Sequence, residues 1–169
     1  MKQTVWHRLD LAARQATPVS LTLILLLLSM LPLGVPGFAP VMPALAVIAV
    51  YYWAVHRPDL LPIWAVFGIG LFSDLLRGEG LGVGVLLVLL VYGIVVSQRR
   101  FFVSRSFLVI WFGFTLVALA SSSLMWALHS LLASQFLDPR PAIFQYLTTV
   151  AAYPLLAWFF ARAQRALLR

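Results

Sequence analysis

The charges of this chain fall in short breaks between long apolar runs, and that arrangement leaves few folds open to it. The apolar segments cover residues 19–33, 41–55, 62–76, 81–97, 107–132 and 142–161. Overall 63% of residues are hydrophobic and 10% are charged, against roughly 45–50% and about 25% in soluble domains. A soluble fold could not cover that much apolar surface, so the expected solvent is lipid. At about 20 residues per crossing, six crossings use most of the 169 residues and leave no expected length for a large extramembrane catalytic domain. The expected architecture is an all-α membrane protein, a compact bundle of six transmembrane helices forming a single integral-membrane domain over 1–169.

The breaks set the orientation. Six crossings place both termini on one side, which then collects Lys2, Arg8, Arg14, Arg57, Arg99, Arg100, Arg105, Arg162, Arg165 and Arg169. Only Arg77 and Arg140 face the other side, so ten of the twelve basic residues lie together. The positive-inside rule therefore puts both termini in the cytoplasm. The net charge of +7 is distributed as topology signals, not as one patch, and no nucleic-acid partner is expected. The chain has no cysteine, which removes disulfides, thiolate nucleophiles and cysteine metal sites. His7, His56 and His129 are too scattered to form a metal centre.

Local signals refine the segments. Trp6, Leu9 and Ala13 are spaced for a short helix lying in the membrane interface. Cleavage as a signal peptide is not expected, because residues 34–39 make a poor small-residue site. Tyr51-Tyr52-Trp53 ends the second segment, where amphipathic aromatics favour the headgroup boundary. Pro58 excludes Arg57 from helical geometry and predicts a tight turn there. The 15 residues of segment 62–76 would span roughly 22 Å of a hydrocarbon core about 30 Å thick. Segment 41–55 is as short, so either the bilayer thins or these helices pack centrally. Pro154 predicts a kink that frees a carbonyl near Val150, with Thr149 or Tyr153 placed to relieve it.

Asp74 is the only acidic residue inside an apolar run. A charge at that depth costs roughly 2.5–3.5 kcal/mol on insertion scales, so it needs a partner. Two readings stand: an ion pair with Arg77 at the helix end, or a buried hydrogen-bond acceptor that joins the third and fourth segments or faces a cavity. An acid protease would need a second intramembrane carboxylate, and none is present. Gly78 and Gly80 flank Glu79 in the turn, and Gly80 and Gly84 have the spacing of close helix approach. A phosphate-binding loop would need a lysine after the glycines, and none follows. Ser122 and His129 lie seven residues apart, roughly 10 Å along a helix, too far for a nucleophile and its base. Ser121 to Ser123, Thr148 and Thr149 read as packing hydroxyls. No catalytic, cofactor-binding or metal-binding residue emerges, and the chain is not expected to be an enzyme.

One stretch carries a family resemblance. Tyr52-Trp53, then Pro58, then Gly70-Leu71, Asp74, Leu76, Gly78 and Leu81-Gly82 resemble the signature of the rod shape-determining protein MreD family. In that family a tyrosine–tryptophan pair and a proline end one span. A G-L-x-x-D-x-L-x-G-x-x-L-G run, intact here from Gly70 to Gly82, then leads into the next. The motif covers under a fifth of the chain, and the other segments agree in hydropathy alone. The resemblance implies a non-enzymatic scaffold of the bacterial inner membrane that binds MreC. Through MreC it would help to couple the actin-like MreB to the lateral-wall transpeptidase and glycosyltransferase, and so to rod shape. It also implies an architecture similar to the substrate-binding subunits of energy-coupling-factor transporters. The alternative is a small-molecule or lipid-binding membrane subunit of a transporter, suggested by Asp74 beside a glycine turn.

Overall fold

The computed structural model describes residues 17–29, 42–78, 82–102 and 105–167. The expected interfacial helix around Trp6 lies outside these residues, as do Glu79, Gly80 and Leu81. Helix α1 is Thr17–Ser29. It is followed by α2 (Leu45–His56), a 3-10 turn (Pro58–Leu60), α3 (Ile63–Arg77), α4 (Val83–Ser97), a one-turn α5 (Arg99–Phe102), α6 (Phe107–Leu132) and α7 (Arg140–Leu167). No strand occurs among the described residues.

Helix α2 lies at the centre. Every residue from Ala46 to Val55 is buried, because α3, α4, α5 and α7 all pack against it. Its 12 residues span only about 18 Å. A helix covered by protein on all sides need not match the bilayer, so its shortness has a structural reason. Helix α3 is different: Ile63, Trp64, Phe67 and Leu75 face outward, so its short apolar face meets the surroundings directly.

The aromatic end of α2 corrects the expectation of a headgroup belt. Tyr51, Tyr52 and Trp53 are all buried and form the core with Phe114, Tyr153 and Phe160. The Tyr51 ring meets Phe114 edge-on at 5.1 Å and Tyr153 at 5.7 Å, while Phe114 stacks on Tyr153 at 4.2 Å. Helix α2 has no lipid-facing side, so its aromatics point at neighbouring helices.

Helices α6 and α7 are long and apolar enough to cross a membrane, yet only 22% of each apolar window is buried. Leu108, Phe112, Leu116 and Leu119 on α6, and Leu147, Leu155 and Trp158 on α7, are exposed. A soluble core helix would be mostly covered. Such outward apolar faces suit contact with lipid tails.

Helix α7 runs through Pro154. The Val150 carbonyl, deprived of its i+4 amide, accepts a hydrogen bond from Trp111 Nε1 on α6 at 3.2 Å. Neither residue placed by sequence to relieve it does so. The Thr149 hydroxyl donates to the Gln145 carbonyl at 2.6 Å, and the buried Tyr153 hydroxyl has no partner among the described residues. The relief comes from the neighbouring helix because Trp111 is long enough to reach across and carries a donor at its tip.

Candidate functional site

The first amides of any helix lack intrahelical acceptors and carry the positive end of its dipole. Helix α4 brings no remedy of its own: Gly82 at its N-cap has no capping side chain, and no acid lies in its first turn. Asp74, from the last turn of α3, supplies what is missing. Its Oδ2 accepts from the amides of Gly82 at 2.8 Å and Val85 at 3.3 Å, and its Oδ1 from Gly84 at 3.0 Å. The carboxylate is 2% exposed. It caps a helix other than its own and closes the α3–α4 turn from inside.

This arrangement decides between the two sequence readings. Asp74 is a buried acceptor joining the third and fourth segments. Among the described residues Arg77 makes no ion pair with it, and the recorded pair is Arg57 with Asp59 at 3.7 Å. That pair is largely exposed and contributes at most about 1 kcal/mol.

The glycines around Asp74 serve separate needs. Gly78 ends α3 at φ 65° and Gly82 precedes α4 at φ 106°, a backbone region that strains other residues. A Cβ on Gly84 would collide with Asp74 Oδ1, and one on Gly70 would sit 2.7 Å from Val85 Cα. The close approach expected of Gly84 is therefore made to a side chain, and Gly70 provides the helix-to-helix contact. The Gly80 half of the expected pair lies outside the described residues.

Beside the carboxylate lies a cavity of about 30 Å³ lined by Ser73, Asp74, Arg77, Ser121, Ser122 and Gln145 among others. That volume suits one or two waters, where small-molecule pockets occupy about 300–1,000 Å³. Ser121 Oγ donates to the Ala118 carbonyl at 3.0 Å, as a packing hydroxyl does. No cluster of three potential metal ligands occurs among the described residues.

The signature residues do not form one site. Tyr52, Trp53 and Pro58 lie where α2 turns into α3, and Asp74, Gly78 and Gly82 lie where α3 turns into α4, so the length of α3 separates them. Gly70 stands one turn inside the Asp74 end. At the first end the Tyr52 ring stacks on His56 at 4.3 Å and Phe160 at 5.2 Å, and its hydroxyl donates to Gln164 Oε1 at 3.3 Å. Trp53 is fully buried, and its indole N–H has no partner among the described residues. Pro58 opens the 3-10 turn, with Arg57 at φ −145°, outside helical geometry as its sequence position requires.

Other helix contacts were only partly legible: Gln145 escaped sequence reasoning, while Thr149, read as a packing hydroxyl, does bridge to another segment. Gln145 Nε2 donates to the Met42 carbonyl at 3.2 Å, and Thr149 Oγ1 accepts from the Ala44 amide at 2.9 Å, so α7 holds the start of α2. Their signal was a polar pair four residues apart in an apolar helix. Tyr51, beside the signature pair, donates to the Ile110 carbonyl at 2.9 Å and ties α2 to α6. Nothing in its spacing distinguishes it from Tyr52.

No curated protein and no solved structure matches the chain. Residues 13–165 match the family model described as rod shape-determining protein MreD. The match covers most of the 169 residues, and the chain belongs to that family.

Proposed function

We propose that this MreD family member is a non-enzymatic scaffold of the bacterial inner membrane, crossing it six times with both termini in the cytoplasm. In this reading it binds an MreC-type bitopic protein and helps to couple the actin-like cytoskeleton to lateral peptidoglycan synthesis. One observation carries the proposal: the signature's aromatic pair and its acid, Tyr52, Trp53 and Asp74, are spent inside the fold. Both Asp74 oxygens are taken up by three amides of α4, and Tyr52 and Trp53 are sealed in the core. The signature therefore serves to build a shape, and the broad outer faces of α6 and α7 remain for lipid and protein contacts. The small cavity at Asp74 does not favour the alternative of a small-molecule cargo held there.

The test is affinity capture of the tagged protein from its native membranes after mild detergent extraction. An MreC-type bitopic protein should co-purify with the wild type. Capture should fall for Asp74→Ala in proportion to the folded protein that remains. Recovery of abundant, folded wild type with no such partner would overturn the scaffold reading.

A further inference from the structure

Between α4 and α6 the outer surface is interrupted by an apolar groove of about 340 Å³. Leu90, Ile94, Leu116 and Ala120 form its walls, and Val91 and Phe102 lie within it. Gly113 also lines it, and lets α6 approach the Phe102 ring, which a Cβ there would meet at 2.5 Å. A methylene taken as water-sized fills roughly 30 Å³, so the groove accepts on the order of ten methylenes. That is the scale of one acyl chain and far below the bulk of a transmembrane helix.

The groove has one polar end. Gln98 lines it there, directly before α5 and its arginines. Arg99 is partly committed, since its Nε donates to the Val55 carbonyl at 3.4 Å. Arg100 and Arg105 are exposed, and the Arg105 guanidinium lies 5.1 Å from the centre of the Phe101 ring. Neither arginine lines the slot itself, but both lie within a few residues of its lining residues Gln98 and Phe102. An apolar slot with exposed guanidinium groups that near in the chain matches a molecule with an apolar tail and an anionic head, and guanidinium is well shaped for phosphate oxygens.

We propose that the α4–α6 groove binds one acyl chain of an anionic phospholipid, with its headgroup phosphate held by Arg100 and Arg105 near Gln98. This goes beyond the scaffold reading and borrows from it only the leaflet, the cytoplasmic one. The test therefore uses nanodiscs of equimolar phosphatidylglycerol and phosphatidylethanolamine, alike in both leaflets, so its failure leaves the orientation untouched. Native mass spectrometry of protein released from them should show phosphatidylglycerol retained in preference to phosphatidylethanolamine. Ala120→Trp, which fills the groove from an exposed wall position, should lose the retained lipid several-fold while circular dichroism and elution volume stay unchanged. Arg100→Gln with Arg105→Gln should keep a bound lipid and lose the headgroup preference. Equal retention by Ala120→Trp and wild type would overturn the proposal, as would wild-type retention of both lipids alike. Crosslinking from a photoreactive residue at Leu116 to a protein helix instead of lipid would overturn it in favour of a protein occupant.

Discussion

Asp74 Oδ1 fills the space that a Cβ on Gly84 would need, while accepting the Gly84 amide at 3.0 Å. The acid and the glycine are thus fitted to each other: a side chain at position 84 would displace the carboxylate from the helix end it caps. Gly84→Ala should destabilise the protein by about 1–3 kcal/mol, the range for overpacking. In an Asp74→Ala background the same change should cost much less, because its obstacle is gone. Thermal unfolding in detergent gives the four corners of that cycle, and additivity would show the two residues to be independent.

The three amides on Asp74 also narrow what can replace it. Asparagine keeps one acceptor and turns an NH2 toward the remaining donors, so it should lose part of the clasp instead of preserving most of it. Asp74→Ala should cost about 2–4 kcal/mol through unsatisfied buried amides, and Asp74→Asn roughly half as much. Accumulation in membranes and midpoint temperature report both. An Asn variant equal to wild type would mean that one acceptor suffices.

Gly68 and Gly70 are near neighbours in sequence with opposite expectations. A Cβ at Gly68 meets nothing within 4 Å, whereas at Gly70 it meets the α4 backbone. Gly68→Ala should be neutral or stabilise by about 0.5–1 kcal/mol through helix propensity, and Gly70→Ala should destabilise. Melting curves of the two single variants decide the matter.

Trp111→Phe should cost about 1 kcal/mol by leaving the Val150 carbonyl without its donor. Pro154→Ala restores an amide at the position that normally serves that carbonyl. In that background the Trp111→Phe cost should largely vanish. An unchanged cost would assign the role of Trp111 to packing alone.

Two tyrosines whose rings meet at 5.7 Å should also diverge. Tyr51→Phe removes the bond to the Ile110 carbonyl and should cost about 1 kcal/mol. Tyr153→Phe removes a buried hydroxyl with no partner among the described residues and should be neutral or stabilising. Paired thermal scans would show the ordering.

The apolar runs marked where helices would lie, since helix formation in lipid follows from the need to pair every backbone group locally, but gave no sign of the one-turn α5. Helix α6 covers the residues expected of the fifth segment, and α7 extends the sixth through Leu167. Family membership was legible from Tyr52 to Gly82, because a glycine, an acid and a proline each leave a mark in an apolar background. Burial was not legible. Uniform apolarity hides which face of a helix meets protein and which meets lipid, so the shortness of segment 41–55 allowed a central place for α2 without deciding it, and nothing showed that Trp53 points inward.

By itself, then, the sequence determined a helical chain made for lipid, with an acid that required a partner. Only the tertiary structure decided what that partner is. Asp74 had Arg77 one turn away on its own helix, and a sequence can display that choice. The amides of α4 became its donors only because Gly70 lets α3 and α4 close together and Gly82 turns the chain back. Backbone donors are the same at every residue, so no composition or spacing marks the ones that will be left over at a helix start. Their position, and with it the role of Asp74, is fixed by how two helices meet.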